Sequence, residues 1–369
     1  MPLHGNIDDI ISHFDIKGDI ANIQPFGSGH INDTFRLQNA DAARPDYLLQ
    51  RINHQVFKNV PALMENIVRI TGHLKSKVPA DKAELEVMTI VGLKNGGLFY
   101  GDENGNYWRV YHFLKDTKSY DQLTNHHQAY EGGKAFGKFQ LMLTDMDAGL
   151  LYDTIPGFHN MELRLNQLKE ALHGNKANRV ASIQPEIDFV NHRAYSMCEI
   201  LRLGNAGKLP LRITHNDTKF NNVLLDMNDH AQCVIDLDTV MPGYVAYDFG
   251  DAIRTIINTA AEDEADLSKI DLNIPLFEAY TRGYLEQAGK FLTPVEVDSL
   301  FMGVLMLPFI QAVRFLTDHI NGDIYFKIHH AGHNLQRAKA QIQLIRKLEE
   351  NQDRLKIIIE GMTNSGKRY

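Results

Sequence analysis

From about residue 115 to the end of the chain, apolar residues recur at helical spacing, and only residues 212–247 interrupt them with strand-forming runs. Helical patterns fall at 161–174, 185–204, 265–289, 294–318 and 325–361, after a first one in which Ala129, Phe136, Phe139 and Leu143 share a face. The first hundred or so residues read the other way. "IQPFGSGHINDTFRL" is strand, glycine turn, strand, and "DYLLQRI", "LEVMTIV", "GGLFY" and "YWRVYHF" are further strands. One helix sits among them, with Leu63, Ile67, Ile70 and Leu74 on one face and Pro61 near its start. The expected fold is α+β and bilobal. It has a small antiparallel β N-lobe with one helix (1–110), a hinge (111–114) and a large, mainly helical C-lobe (115–369).

The strand-forming interruption holds "RITHNDTKFNNVLLD", which contains H-x-D-x-K-x-x-N as His215, Asp217, Lys219 and Asn222. This is the spacing of a protein-kinase catalytic loop, with Asn216 in place of the usual Arg. Phosphoryl transfer needs these residue types: a carboxylate to hold and deprotonate the attacking hydroxyl, a lysine to neutralise charge, and an amide oxygen for Mg²⁺. An Asx-rich turn between strands is the bland alternative. Fourteen residues on, Asp236 ends the apolar run "AQCVID", the position from which a carboxylate reaches a metal on nucleotide phosphates, and Asp238 could assist it.

Two other stretches match motifs without their context. "DFG" at 248–250 opens a helical pattern, so Asp248 is expected as an N-cap or as a buried brace beneath the loop, and the metal is assigned to Asp236. "GGKAFGK" (132–138) fits a phosphate-loop spacing but lies within a helix and lacks the following Ser or Thr. Its small residues are expected to serve helix packing.

In the N-lobe, Gly27, Ser28 and Gly29 form a turn whose N–H groups could cover phosphates. Arg51 stands where a kinase-type fold carries its phosphate-pairing lysine, and Glu65 is expected to reach it from the following helix. "VYHFL" (110–114), with Tyr111 and Phe113, is expected to be the hinge whose backbone reads adenine. His30, Asn32 and Asp33 are too polar for a plain hairpin and are expected to face a substrate.

A net charge of −8 without a basic stripe gives no reason to expect nucleic-acid binding. Two cysteines inside apolar segments exclude a disulfide framework, and the acidic N-terminus does not read as a signal peptide, so a cytoplasmic protein is expected. The apolar run at 300–310 is too short to span a bilayer and reads as a buried helix.

Together these residues resemble the aminoglycoside phosphotransferase/choline kinase superfamily, and within it the bacterial N-acetylhexosamine 1-kinases. The stretches that carry the resemblance are "GHINDTF", "LLQRIN", "ALMENIVRIT", "THNDTKFNNVLLD", "VIDLDTVMPG" and "RFLTDHINGDIYFK", across about residues 25–345. The resemblance implies that ATP and Mg²⁺ phosphorylate the anomeric hydroxyl of N-acetylglucosamine or N-acetylgalactosamine. It implies Asp217 as base, Asn222 and Asp236 as metal ligands, and His30, Asn32, Arg314 and Tyr325 beside the sugar. Arg314 and Asp318, four apart on a helix, could instead pair with each other. The competing expectations are a kinase of another small alcohol (choline, ethanolamine, homoserine or an aminoglycoside) and an inactive nucleotide-binding protein. The partners expected are ATP and a small sugar, with no membrane and a monomeric state.

Overall fold

The computed structural model describes residues 7–27, 31–123 and 125–365. Along the chain run α1 (Ile7–Ser12), β1 (Ile20–Pro25), β2 (Asp33–Asn39), β3 (Tyr47–Ile52), α2 (Val60–Lys77), α3 (Ala83–Glu86), β4 (Ile90–Val91), β5 (Tyr100–Gly101) and β6 (Tyr107–His112). There follow β7 (Thr117–Lys118), α4 (His126–Met142), α5 (Met161–Gly174), α6 (Gln184–Met197), α7 (Glu199–Asn205), β8 (Arg212–Thr214), β9 (Val223–Asp226), β10 (Ala231–Val234) and β11 (Met241–Gly243). The chain ends in α8 (Val245–Ile256), α9 (Ile274–Ala288), α10 (Pro294–Asn321), α11 (His333–Glu350) and α12 (Gln352–Ser365). It divides into two compact units. The first comprises Met1–Lys118, Asp145–Pro156 and Leu224–Met241, and the second is the remainder. The segment Leu224–Met241, which carries β10 and most of β9, belongs to the first unit.

The first unit is built on an antiparallel sheet of order β1-β2-β3-β6-β4, with β5 also on β6. Alternation along the strands puts Phe35, Leu37, Leu49, Trp108 and Val110 into one buried cluster, closed by Ile10 and Phe14 from the α1 region. The helix α2 buries Leu63, Ile67, Ile70 and Leu74, the stripe expected from its spacing, and begins at an Asn59 cap with Pro61 in its first turn. Of "LEVMTIV", only Ile90–Val91 is strand, because the segment starts in the last turn of α3.

The second unit is mainly helical. Its core surrounds α10, which packs with α5, α6 and α8. A Thr293–Glu296 capping box starts α10. The helix is long and apolar enough to cross a membrane by length and composition, yet 72% of its apolar window is buried inside the protein. The helices α4 and α9 approach closely because glycines stand at their contact. A Cβ on Gly133 would lie 2.2 Å from the Tyr280 carbonyl oxygen, and one on Gly137 would lie 2.5 Å from that of Tyr284. The "GGKAFGK" glycines are therefore packing residues. Two expected helices start later than their spacing suggested. Asn273 caps α9 at residue 274, and Gly332, at φ +79°, precedes α11.

Candidate active site

Strands β8 and β11 pair with each other and hold the start of the loop 215–222. Its backbone is set by a left-handed Asn216 (φ +64°), whose side chain bonds both Thr214 Oγ1 and the Thr214 carbonyl at 3.1 Å. Asn tolerates that conformation and bonds locally there, which accounts for an amide where protein kinases carry Arg. Gly243 makes room for it, since a Cβ there would lie 2.2 Å from Thr214 Oγ1.

Beneath the loop, Asp248 in the first turn of α8 accepts the N–H groups of His215 (2.8 Å) and Asn216 (2.7 Å) and the Gln140 amide (2.7 Å). Thr218 bonds the Asp248 carbonyl through its hydroxyl and Asp251 through its N–H. Asp248 is fully buried and does not cap α8, which begins three residues earlier at Val245. Of the two roles expected for it, the structure selects the brace. His215 is buried against the rings of Phe136 and Phe139, and its Nδ1 accepts from the Asp217 N–H at 3.3 Å.

With the backbone fixed, Asp217 lies 3.4 Å from Lys219 Nζ. Asn222 donates its amide to the Asp217 carbonyl at 2.8 Å, which orients the amide and leaves Oδ1 as its acceptor end. Burial pushes the Asp217 carboxyl up, but the charges of Lys219 and Arg254 oppose it, and the group is held below the usual carboxylate range. The base candidate is therefore ionised at neutral pH. Asp217 raises the Lys219 ammonium in turn.

Next to this loop, still in the second unit, buried His159 lies with Nε2 3.0 Å from the Asn216 carbonyl. Arg314 is enclosed by the rings of Phe158, Tyr325 and Phe326 at 5.2–5.9 Å. Arg164 bonds the Phe158 carbonyl at 3.1 Å, and its buried Nε has no partner among the described residues. Burial, with the Arg314 charge added, pulls Arg164 down to about 10. The alternative Arg314–Asp318 pair does not form. Asp318 instead accepts the N–H groups of Ile324, Tyr325 and Phe326 at 2.8–2.9 Å, so it sets the turn that carries Tyr325.

In the first unit, Asp236 follows β10 in the left-handed region (φ +61°, ψ +59°) and is exposed, between half-buried Ile235 and buried Leu237. Such a conformation costs a non-glycine residue about 1–2 kcal/mol and must be held by its surroundings. Asp238, expected as a possible metal helper, is buried. Its two oxygens take Arg109 Nη1 and Nη2 at 2.6 and 2.8 Å, and Asn32 donates to it at 2.8 Å. Arg109 also donates Nε to Gln50 at 3.0 Å, and the Asp238 charge raises it further despite complete burial. Sequence reasoning passed over Arg109 as one more strand residue. The signal available was a charged residue at a position whose neighbours Trp108 and Val110 are apolar.

The structure corrects the expected Arg51–Glu65 pair and gives the other N-lobe residues their partners. Arg51 is held by its cross-strand partner Asp33, with Nε 2.8 Å from Oδ2, and Glu65 pairs with Arg69 one turn on, so no Arg51–Glu65 pair exists. Asp33 is thus engaged by an arginine of its own sheet. Asn32 is a bridge, its amide nitrogen on Asp238 and its oxygen accepting from the Asn53 N–H at 2.9 Å. Tyr111 lies inside β6 between Leu48 and Ile90, and Phe113 gives its N–H to the Asp46 carbonyl at 2.9 Å, so the sheet runs on into the expected hinge. Gly27 has φ +81° and open space at its Cβ, so the turn needs its conformation rather than its smallness. Ser28, Gly29 and His30 lie outside the described residues.

An antiparallel sheet unit, a helical unit and a braced H-x-D-x-K-x-x-N loop define a kinase-like phosphotransferase. A family model described as the phosphotransferase enzyme family (APH) matches residues 22–289, and the chain belongs to that family. Solved structures share its fold. An aminoglycoside phosphotransferase from Alicyclobacillus acidocaldarius is 12% identical at TM-score 0.61, covering 99% of this chain and 98% of its own. A microcompartment-associated aminopropanol kinase is 12% identical at TM-score 0.63, covering 96% and 98%. The amicoumacin kinase hAmiN, solved with AMP-PNP, Ca²⁺ and Ami, is 10% identical at TM-score 0.61, covering 92% of each chain.

Proposed function

We propose that this phosphotransferase is an ATP- and Mg²⁺-dependent sugar 1-kinase that acts on the anomeric hydroxyl of an N-acetylhexosamine. The observation that carries the choice of acceptor is the Arg314–Arg164 corner beside the catalytic loop, with its aromatic rings and its orphaned buried Arg164 Nε. Two guanidinium groups repel a cationic acceptor such as choline, an amino alcohol or an aminoglycoside. They suit a neutral acceptor rich in hydroxyl and carbonyl oxygens, and the rings offer apolar faces to a pyranose.

In the reaction, Asp217 holds the acceptor hydroxyl and takes its proton as the oxygen bonds the γ-phosphorus and the bond to the leaving ADP oxygen breaks. Lys219 keeps Asp217 ionised and offsets charge on the transferring group. Asn222 Oδ1 and the exposed Asp236 carboxylate are each an oxygen donor of the kind that a hard divalent cation takes alongside phosphates and water. Bound there, the cation would neutralise phosphate charge. The Ca²⁺ and AMP-PNP solved with amicoumacin kinase support a metal-nucleotide substrate.

The test is a panel of N-acetylhexosamines, choline, ethanolamine, aminopropanol and aminoglycosides with ATP, followed by NMR location of the new phosphate. Turnover of N-acetylhexosamines with phosphate on C1 is expected. Turnover of amines alone, or phosphate on another carbon, would refute the reading.

A further inference from the structure

Asp238 stands two residues after Asp236, where a second carboxylate would ordinarily be read as a second metal ligand. Its environment says otherwise. Both oxygens are spent on the Arg109 fork at 2.6 and 2.8 Å, one of them also on Asn32 at 2.8 Å, and the side chain is buried. Arg109 is itself held by Gln50 on β3 at 3.0 Å. Asn32 is anchored by the Asn53 N–H at 2.9 Å. The turn 237–239 is thus tied from one side to strands β3 and β6 and to the segment just before β2. From the helix side, fully buried Asn66 of α2 donates to the Val240 carbonyl at 3.4 Å. Leu237, Asp238 and Thr239 are all buried, and Asp236, left-handed at φ +61°, is the exposed residue just before them.

We propose that Asp238 is a positioning residue for the cation site and not one of its ligands. With Arg109 and Asn32 it pins residues 237–239, and this keeps Asp236 in its left-handed conformation with the carboxylate outward. The inference rests on the kinase reading in one respect only, that Asp236 binds the cation on the nucleotide. A carboxylate held in an uncommon conformation by buried partners binds a cation without first having to be ordered. Released, it can relax to the ordinary regions of φ and ψ and swing away.

The test is ATP binding without acceptor, followed by calorimetry at increasing Mg²⁺, with the melting temperature of each variant measured alongside. Wild type is expected to bind ATP more tightly as Mg²⁺ rises; if it does not, the kinase reading itself fails. Asp236→Asn is expected to abolish the enhancement at every Mg²⁺ concentration. Asp238→Asn and Arg109→Met are each expected to raise the half-saturating Mg²⁺ by about tenfold or more, as loss of a ligand-orienting partner does, while the full enhancement returns at high Mg²⁺. Arg109→Lys should recover part of the shift, and the double variant should add little to either single one. Loss of the enhancement at all Mg²⁺ concentrations in Asp238→Asn would make Asp238 a ligand and overturn the proposal. A lowered melting temperature with an unchanged Mg²⁺ midpoint would also overturn it, leaving the pair purely structural. Should the buried-pair variants fail to fold, Asn32→Ala removes a single bond to Asp238. It is expected to shift the midpoint in the same direction, and no shift overturns the proposal.

Discussion

Asp248 carries the backbone of the 215–222 loop: its carboxylate accepts the N–H groups of His215 and Asn216 at 2.8 and 2.7 Å, the two residues before the proposed base Asp217. Removing it strands these two donors and the Gln140 amide in a buried site, where each unsatisfied group costs about 1–3 kcal/mol. Asp248→Ala is expected to lose at least about 3 kcal/mol in urea denaturation. Activity per folded molecule should fall as well, because the loop loses its register. An Asp248→Ala protein as stable as wild type would show that the brace does not carry the loop.

How much of this arrangement could be read in advance differs from residue to residue. The bracing role of Asp248 in the literal "DFG" and the packing role of "GGKAFGK" both followed from which motifs sat on strands and which on helices. The N-lobe partners did not follow, because they depend on which face of a strand or helix a residue takes. Glu65 was expected to reach Arg51, yet the buried stripe of α2 runs through Leu63, Asn66, Ile67 and Ile70 and leaves Glu65 with Arg69. Arg51 and Arg109 are both strand arginines. Pairing sets Arg51 opposite Asp33 and Arg109 opposite Gln50 on a buried face, a difference that only the register decides.

Asp217 and Lys219 can be separated by pH. As the proposed base, Asp217 would act only when ionised, and its carboxyl is held below the ordinary range, chiefly by Lys219 acting against burial. Activity is therefore lost on the acid side, as pH falls through a depressed value. Lys219→Met removes the main depressing charge, so the acid limb of the kcat profile should move to higher pH. Asp217→Asn should lower turnover by about 10²–10⁴-fold across the whole range and leave ATP binding measurable. An acid limb unmoved in Lys219→Met would assign that titration to another group.

The close approach of α4 and α9 predicts intolerance of even one methyl group. In Gly133→Ala the Cβ meets two main-chain atoms, the Tyr280 carbonyl oxygen at 2.2 Å and the Tyr284 nitrogen at 2.8 Å, and neither can rotate away. Overpacking of this kind costs about 1–3 kcal/mol. Gly174→Ala is the control, since its Cβ would meet nothing within 4 Å. Thermal melting should separate the two, with Gly133→Ala clearly the lower, and equal melting temperatures would mean that the helices can part without cost.

His159 gives the fold an acid-sensitive point beside the catalytic loop. A carbonyl oxygen only accepts, so the Nε2 that faces Asn216 O at 3.0 Å carries the proton of a neutral ring. Burial lowers its pKa to about 4, with Arg314 adding to the shift and Asp251 and the bond to Asn216 opposing it. In the unfolded chain the value returns to about 6.5. Between these two values the unfolded state holds a proton that the folded state lacks. The stability from the neutral ring is therefore present above about pH 6.5 and is lost as pH falls toward about 4. At pH 5 the loss amounts to about 2 kcal/mol, the 1.5-unit distance below 6.5 taken at about 1.4 kcal/mol per unit. His159→Gln keeps an N–H donor for the Asn216 carbonyl and removes the titration. Its urea midpoint should drop less than that of wild type between pH 7.5 and pH 5, by an amount equivalent to about 2 kcal/mol. Equal drops in the two proteins would place the acid sensitivity elsewhere.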